Sequence, residues 1–456
     1  MKTFLSVGAG IVIYLSLFSS SLRAQPGSLD FTFNPGTGVG QYLYCIALQT
    51  NGQILVGGSF STVNGITNNE VARLNSDGSV DTSFNVGQGP SSTVNCLAVQ
   101  PDGKVVIGGE FGTVNNVTDF GVARLRTDGS VDISFQPTTF VITSINAVAI
   151  QNDGKILMAG LIHLLSGTNF SVARLNSDGS FDSSFNWAGI QNPSIGNVAD
   201  MALQSSGQIL VAVPVITVNG ISRTNVARLN SDGTIDTTFT ADPMVGSPGR
   251  VNCVLALTNG QVLIGGSFDT INGYTRQGIA RLNTDGTLDT LFGRAYSPYD
   301  PYVSEMALQA DGKILISDNV NPNPHRLNAN GLDDSSFNSG TGVDQSIQAI
   351  TVQPDDKILI GGSFTSYNHT NINRIARLNG DNPFSTNLQF LASNQYFGTY
   401  LQGTVSNTYR IEYTSKLNTP SLWTPLFNVT LQTNPQFILD PNPAAGQRFY
   451  RAVTLP

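Results

Sequence analysis

The sequence contains few charged side chains, and its excess of acidic over basic residues argues against one class of binding partner. Only 12% of its 456 residues are charged, against roughly a quarter in a typical soluble domain. Lysine and arginine total 23 against 31 acidic residues, which gives a net charge of −8 at pH 7 without a basic cluster. We therefore predict no nucleic acid partner, because nucleic acids are held through phosphate contacts.

Histidine and cysteine are also scarce, with three residues of each. A serine nucleophile needs a general base within hydrogen-bond reach, yet no Gly-x-Ser-x-Gly elbow and no metal-type histidine pair accompanies the histidines. An enzyme is thus the less favoured class, although the sequence leaves the question open. The odd number of cysteines, at equivalent positions of different repeats, predicts buried free thiols at Cys45, Cys96 and Cys253.

Long apolar runs are confined to the first residues. Lys2 precedes an apolar run from about Leu5 to Phe18, and small polar residues follow up to Ala24. This is the layout of a secretory signal peptide, and the run is short for a retained membrane span. We predict a signal peptide at residues 1–24 and a secreted, cell-surface or periplasmic protein with no membrane span after cleavage.

The most prominent feature of the sequence is a repeat of about fifty residues. Its clearest part is the segment 71–84, Val-Ala-Arg-Leu-Asn-Ser-Asp-Gly-Ser-Val-Asp-Thr-Ser-Phe. The arginine recurs at intervals of 51, 50, 54, 53, 45 and 51 residues. Such a period indicates a propeller or another repeat array. The segment 93–135 contains four strand-like runs separated by turn signals, which predicts one four-stranded propeller blade per repeat.

The segment 71–84 predicts a β-hairpin with a fixed register. With a three-residue loop and Gly78 in the left-handed region, Leu74 faces Val80 and Arg73 faces Asp81. The eight-residue interval from arginine to aspartate recurs in six copies, so we predict structural ion pairs and not ligand contacts. The pairs are Arg73–Asp81, Arg124–Asp132, Arg174–Asp182, Arg228–Asp236, Arg281–Asp289 and Arg326–Asp334.

The seventh copy, at Arg377, has no room for the turn and its partner strand. The missing piece is present at residues 28–34, whose Ser-Leu-Asp-Phe-Thr-Phe-Asn resembles residues 79–85. We predict that this N-terminal strand completes the last blade and brings Asp30 to Arg377, which also removes exposed sheet edges. The predicted fold is all-β, with a seven-bladed propeller at residues 25–384.

The repeats resemble the delta-60 repeat family of bacterial secreted β-propellers. The resemblance rests on Gln-Pro-Asp-Gly-Lys at 100–104, Ile-Leu-Val-Gly-Gly-Ser-Phe at 54–60 and Ala-Arg-Leu-Asn-Ser-Asp-Gly at 72–78, and it covers about residues 28 to 384. It implies a β-propeller fold and no common activity. The Gly-Gly pair of this pattern is replaced at 159–160, 213–214 and 317–318, so we expect local differences in the third, fourth and sixth blades.

Residues 385–456 lie outside the repeat. Their short alternating runs predict a small β-sandwich-like module with Trp423 as a core anchor. It is similar to the tail modules of bacterial secreted repeat proteins, and both surface attachment and capping remain open as its role.

Three patterns look like ligand sites but have simpler interpretations. The Asn-rich turn at 75–81 lacks the bidentate glutamate of a calcium loop, and tight turns need the same residues. The glycines at 36–40 lead into a strand and not into a helix N-terminus. Asp200 and Glu305 occupy a column of small residues and could join cysteine in a metal site. We predict no cofactor and no metal, with calcium as the less favoured alternative.

Candidate ligand-binding residues lie in two aromatic loops, residues 186–194 and 293–302, each of which follows the last phenylalanine of a repeat. They are Trp187, Arg294, Tyr296, Tyr299 and Tyr302. Exposed aromatics can stack on sugar rings or pack on a protein, although these could instead cover gaps between blades. We predict a secreted, monomeric, non-enzymatic binding protein for an extracellular glycan or surface protein. The alternatives are a hydrolase or lyase of extracellular polysaccharide that uses the same face, and a structural cell-surface spacer.

Overall fold

The computed structural model describes most of the repeat region and five short segments after it. The described residues are 25–137, 140–164, 169–186, 190–191, 198–241, 249–276, 278–293, 302–318, 323–381, 398–401, 408–414, 424–430, 436–439 and 449–454. Within these ranges every regular element is a β-strand, and no helix is long and apolar enough to cross a membrane. The segment assigned to a signal peptide and Trp423 lie outside these ranges.

Thirty strands follow the chain through the repeats. The first two repeats contain β1 (Tyr42–Leu48), β2 (Ile54–Ser59), β3 (Thr62–Val63), β4 (Ile66–Thr67), β5 (Val71–Leu74), β6 (Val94–Val99), β7 (Val105–Gly109), β8 (Thr113–Val114), β9 (Val117–Thr118) and β10 (Val122–Leu125). The next two contain β11 (Phe140–Ile150), β12 (Ile156–Leu164), β13 (Asn169–Leu175), β14 (Ile190–Gln191), β15 (Asp200–Leu203), β16 (Ile209–Val218) and β17 (Ile221–Leu229). The last three contain β18 (Arg250–Ala256), β19 (Val262–Ser267), β20 (Thr270–Ile271), β21 (Tyr274–Thr275), β22 (Ile279–Leu282), β23 (Val303–Leu308), β24 (Ile314–Asp318), β25 (His325–Leu327), β26 (Ile347–Val352), β27 (Ile358–Gly362), β28 (Ser366–Tyr367), β29 (Thr370–Asn371) and β30 (Ile375–Leu378).

Among the described residues between 42 and 378, twenty-two of these strands form seven antiparallel sheets of three or four strands, and the other eight form two-stranded hairpins. Their central strands are β2, β7, β12, β16, β19, β24 and β27. The first strand of each sheet contacts the first strand of the next, and β26 of the last sheet contacts β1. Buried side chains fill the space between consecutive sheets; Ile54 and Val56, for example, pack with Leu359 of the last sheet. The apolar core therefore lies between the sheets.

The hairpin register predicted from the sequence is confirmed, but the predicted fourth strand is wrong. Leu74 pairs with Val80 in an isolated bridge, and Gly78 has a φ of 92°. After this bridge the chain turns, because the Asp81 carboxylate accepts hydrogen bonds from the backbone N–H and the hydroxyl of Ser83 at 2.9 and 2.6 Å. The outer edge of this sheet is thus one bridge followed by a turn.

The expected differences where Gly-Gly is lost are confirmed in the third and fourth sheets. Here β12 has nine residues and β16 has ten, whereas β7 in the second sheet has five. In the first, second, fifth and seventh repeats the chain leaves the corresponding strand and forms a separate two-stranded hairpin. These hairpins are 62–67, 113–118, 270–275 and 366–371, and we call the end of the molecule that carries them the hairpin face.

The residues in the turns explain why the short hairpins form. The first turn residue is Asn64 in the first hairpin and Asn115 in the second, each with a φ of 50°. Two consecutive residues with positive φ make the tight turn whose twist suits a β-hairpin. The sequence pattern predicted only a polar loop here.

After residue 381 the described segments form two small sheets. They contain β31 (Gly398–Leu401), β32 (Thr408–Thr414), β33 (Thr424–Thr430), β34 (Gln436–Leu439) and β35 (Phe449–Thr454). β31 pairs with β34, and β32 lies between β33 and β35. Tyr409 and Ile411 are buried against β33.

Candidate binding surface

The recurring pairing of arginine with aspartate corresponds to seven similar contacts, all of them buried or partly buried. In each, the arginine Nε donates to an aspartate Oδ2 at 2.7 to 2.9 Å. The pairs include Arg377–Asp30 at 2.7 Å, which joins the first described segment to the last sheet. Each guanidinium carbon also lies 4.4 to 4.9 Å from the centroid of a phenylalanine ring. This geometry adds a cation–π contact to each ion pair.

Most of these arginines also join one sheet to the next. Arg73 Nη1 donates to the Thr127 carbonyl of the second sheet at 2.7 Å, and Arg377 Nη1 donates to the Ser76 carbonyl of the first sheet at 2.6 Å. Burial alone would raise the pKa of Asp81, but hydrogen bonds from Ser83 and the Arg73 guanidinium outweigh it and lower that pKa. The guanidinium groups are therefore occupied by contacts within the protein.

The glycine-rich segment at 36–40 is filled by a side chain of the hairpin face. Thr37 N donates to Asn64 Oδ1 at 3.0 Å, and a Cβ added to Gly36 would lie 2.0 Å from the same oxygen. Gly340 is equally close to Asn368, with 2.4 Å from its added Cβ to Oδ1. These glycines thus make room for hairpin asparagines, which explains them without a phosphate.

The aromatic loops named from the sequence are described only in part. Tyr302 pairs with Ser267 in an isolated bridge and is half-buried. The remaining candidates lie outside the described residues, namely Trp187, Arg294, Tyr296 and Tyr299. The binding patch proposed for these loops therefore stays a prediction.

A second group of aromatic side chains lies on the hairpin face and was missed by the sequence reasoning. Tyr42 is 49% exposed. Its ring lies nearly parallel to that of Tyr44, with 6.3 Å between centroids and 13° between planes. Glu70, from the connection between β4 and β5, and Glu110, directly after β7, act electrostatically on Tyr44. We call Tyr42, Tyr44, Glu70 and Glu110 the tyrosine–glutamate cluster.

The electrostatics of this cluster are dominated by negative groups. Burial raises the pKa of Tyr44, and Tyr42, Glu110 and Glu70 raise it further. Burial also raises the pKa of Glu70, whose Oε2 accepts a hydrogen bond from the Phe60 backbone N–H at 3.0 Å. Sequence alternation alone would not have found the two tyrosines, since the β-bulge at Tyr44 interrupts the regular alternation of side chains along β1.

The tips of three hairpins expose apolar side chains at one repeated position. Ile66, Val117 and Tyr274 each follow the two turn residues and are 41%, 37% and 52% exposed. The hairpin tips project from the same face, but the side chain at this position differs from one hairpin to the next. The hairpin face therefore presents different side chains on a repeated backbone structure. Such loops on rigid scaffolds are a common place for binding residues.

A concave region lies at the opposite end, among the turns that follow the first strands of the third, fourth and fifth sheets. Its volume is about 540 Å³, and its lining includes Gln151, Asp153, Gln204, Ser231 and Leu257. The Gln204 amide donates to the Gly260 carbonyl at 3.2 Å. The equivalent glutamine of the first sheet, Gln49, donates to the Gly103 carbonyl at 3.4 Å, so these glutamines connect neighbouring sheets.

Asp200 and Glu305 are half-buried residues on the first strands of the fourth and sixth sheets. Asp200 accepts hydrogen bonds from the backbone N–H groups of Met201 at 2.7 Å and Val254 at 2.9 Å. Burial raises the pKa of both acids, and Asp200 raises that of Glu305 further. Within the described ranges, no three His, Cys, Asp or Glu residues are placed to hold a metal ion.

The three cysteines of the sequence are free thiols. Cys96 and Cys253 are buried, and Cys45 is half-buried. Burial raises the pKa of all three thiols, which makes the reactive thiolate form less available.

Asp119, at the end of the second hairpin, provides a test of pH dependence. It is 4% exposed, its Oδ2 has no hydrogen-bond partner among the described residues, and burial raises its pKa to about 7. Because the folded state retains the proton more strongly than the unfolded chain, the contribution of Asp119 to stability is full below about pH 4 and lost as the pH rises through 7. We expect Asp119→Asn to be more stable than the wild type at pH 8, measured by urea unfolding.

The first repeat supplies a reason to expect that this variant folds. Asn68 occupies the equivalent buried position, and its N–H donates to Ser61 O as that of Asp119 donates to Gly112 O. The gain should shrink between pH 8 and pH 5. An equal gain at both pH values would contradict the assignment of this titration to Asp119.

These observations define a repeat β-propeller whose repeated polar residues support the sheets and whose hairpin face carries the variable side chains. The sequence matches the family described as "Domain of unknown function (DUF5122) beta-propeller" at residues 49–84, 100–135, 151–185, 204–239, 257–292 and 353–381. The matched segments coincide with the repeats found in the sequence, so the resemblance inferred from the sequence is confirmed. No curated protein sequence matches it significantly.

Solved structures show a similar fold at low sequence identity. The extracellular domain of a putative one-component system from B. thetaiotaomicron is 14% identical, with a TM-score of 0.50 over 88% of this chain and 47% of that one. The chain therefore spans about half the length of that structure. Virginiamycin B lyase from Staphylococcus aureus is 13% identical, with a TM-score of 0.46 over 74% of this chain and 94% of the lyase. At this identity the likeness concerns the fold alone.

Proposed function

We propose that the protein is a secreted or cell-surface binding protein whose hairpin face engages an extracellular glycan or protein. The proposed layout is a signal peptide at 1–24, a monomeric seven-bladed propeller at 25–384 and a β-module at 385–456. The cyclic contacts of seven first strands support the blade number. The pairing of Leu29 with Leu378 supports closure by the N-terminal segment.

One observation carries the proposed binding role: the repeated polar residues are used within the protein, whereas the hairpin tips are exposed and differ from one another. The arginines hold aspartates and neighbouring turns, and hairpin asparagines hold glycine-rich segments. In contrast, Ile66, Val117 and Tyr274 project apolar surface into solvent. Exposed loops that differ in side chain on a rigid framework are a common location for binding residues.

The test is a binding screen of the mature protein against an oligosaccharide array and a panel of extracellular proteins. A triple variant, Ile66→Ser, Val117→Ser and Tyr274→Ser, should lose at least tenfold in affinity for the ligand found. The control is Ile133→Ser, which removes an apolar side chain that is 62% exposed outside the hairpins. Loss of affinity in the control alone, or no ligand in the whole screen, would contradict this function.

A further inference from the structure

We propose that the tyrosine–glutamate cluster binds an arginine or lysine side chain of a protein partner. The inference rests on the proposed function, because it names the ligand chemistry for one part of the hairpin face. The cluster lies beside the first hairpin: Gly40, just before β1, donates to the Thr62 carbonyl of that hairpin at 2.9 Å, and Tyr42 pairs with Ser59 at the end of β2.

The two tyrosines supply an aromatic surface of defined orientation. Both lie on β1, which pairs along its length with β2, and the register shifts between Leu43 and Cys45. This shift is a β-bulge at Tyr44, a feature that re-aims a side chain. Tyr42 is 49% exposed, and the two ring planes differ by 13°. A cation that approaches the face of such a ring is attracted by its quadrupole.

Glu70 is held in a backbone conformation that a non-glycine residue rarely adopts. Its φ is 64°, and the equivalent positions of the second and fifth repeats are Gly121 and Gly278. The equivalence follows from one shared bond, since the N–H groups of all three donate to a phenylalanine carbonyl at 2.7 to 2.8 Å. Strained residues of this kind cluster at functional sites, and here the strain positions a carboxylate.

The charges on the cluster favour a cationic ligand over a neutral one. Glu70 lies beside the strand of the tyrosines, because the N–H of Gly58, which pairs with Leu43, donates to the Glu70 carbonyl at 3.0 Å. Glu70 and Glu110 both act on Tyr44 as negative groups. The Glu70 carboxylate is partly buried with one backbone donor on Oε2, and Ser144 Oγ lies 3.4 Å from Glu110 Oε1. A basic side chain would form charge-assisted hydrogen bonds with these carboxylates while its planar or alkyl part rests on the tyrosines. A neutral sugar would gain the stacking without the charge.

The basic residue of the neighbouring sheet does not neutralise this cluster. Arg374 occupies in the seventh repeat the position of Glu70, also with positive φ at 65°. Its Nη1 lies 3.4 Å from the Val39 carbonyl, to which it donates. Among the described residues, Arg374 forms no ion pair with Glu70 or Glu110 and is held instead by this carbonyl, so the cluster retains its negative character.

The experiment uses the mature protein and a short fluorescent peptide of alternating arginine and glycine, with a citrulline–glycine peptide of equal length as the uncharged match. Binding is measured by fluorescence anisotropy at low and high salt. We expect the arginine peptide to bind at least tenfold more tightly than the citrulline peptide, since a hydrogen bond to a charged group is worth more than a neutral one. High salt should reduce this difference, because the cluster is partly exposed.

Two variants locate the binding. Glu70→Gly introduces the residue that other repeats have at this position, so the fold should be retained while affinity for the arginine peptide falls about tenfold. Tyr42→Ala should weaken the binding of both peptides. The matched control is Asp153→Asn, which removes one negative charge at the opposite end, beside the concave region, and should leave affinity unchanged.

The outcomes separate this inference from the function on which it rests. Equal affinity for the two peptides, or equal loss in Glu70→Gly and Asp153→Asn, would overturn the basic-residue proposal. A third outcome is that an oligosaccharide binds, that Tyr42→Ala abolishes its binding, and that the arginine peptide does not bind. The cluster then recognises sugars, so the proposed function of the hairpin face is supported and the basic-residue proposal is wrong. If no probe binds to the hairpin face, both are wrong.

Discussion

Substituting Arg228 with methionine should lower the free energy of unfolding by about 4 kcal/mol, since removal of one partner from a buried ion pair typically costs about 3 to 5 kcal/mol. Arg228 donates to Asp236 at 2.7 Å and to the Thr284 carbonyl of the next sheet at 2.8 Å. Methionine keeps much of the volume but leaves Asp236 with neutral donors alone, namely the Gln208 amide at 2.6 Å and the backbone N–H and hydroxyl of Thr238. Chemical denaturation monitored by fluorescence and circular dichroism measures the effect.

Two further substitutions make this expectation specific. Arg377→Met should cost less, about 3 kcal/mol, at the low end of that range, because Lys357 still pairs with Asp30 at 2.7 Å. Arg223→Met, at a half-buried position where Nη1 donates to the Ser222 carbonyl of the preceding residue, should change stability by no more than about 0.5 kcal/mol. If Arg228→Met and Arg223→Met had equal effects, the buried contacts would not support the sheets as argued.

Gly266→Ala should destabilise the protein by about 3 kcal/mol, near the upper end of the usual cost of overpacking. A Cβ at Gly266 would lie 2.0 Å from the Arg250 carbonyl oxygen. That oxygen belongs to β18, whose ladder with β19 is bulged between Val251 and Cys253, so it cannot withdraw without disrupting the pairing. Thermal and urea unfolding of the purified variant measure the loss.

The control for this substitution is Gly112→Ala. A Cβ there meets nothing within 4 Å, and the residue is not in the positive-φ region. Alanine should therefore be neutral or stabilising by up to about 1 kcal/mol, through the lower entropy of the unfolded chain. In the fourth sheet Ala212 pairs with Val226 as Gly265 pairs with Ile279, so the replaced pair is 212–213 and not 213–214, and Val213 stands at the position of Gly266. There the pairing of β15 with β16 has no register shift. Similar losses in both variants would contradict the role of the bulge.

Local rules predicted the parts of the fold that depend on neighbours in sequence. The pairing of Leu74 with Val80 was predicted from loop length and side-chain pairing alone, and the structure confirms it. The outer strand was wrong because the pattern of residues 79–84 looks extended, whereas the Asp81 side chain bonds to Ser83 and turns the chain. A side-chain bond to the backbone two residues on competes with strand formation.

The candidate site was less predictable, since its residues are brought together by the packing of different sheets. Tyr42 lies in the first sheet, Glu110 directly follows β7 of the second sheet, and Glu70 lies in a strained connection. No local pattern marks these residues as neighbours. The aromatic loops around Trp187 and Tyr299 stood out in the sequence for composition only, and they stay predictions.

The pairing of Asp30 with Arg377 has a consequence for biosynthesis. The two residues are separated by 347 positions, so at about 5 to 20 residues per second the ribosome completes the second partner some tens of seconds after the first. Until then Leu29 cannot meet Leu378, and the first sheet lacks the side chains of Leu359 and Ile375 against which it packs. Nascent chains should therefore remain protease-sensitive at their N-terminal segment until the final repeat has been synthesised.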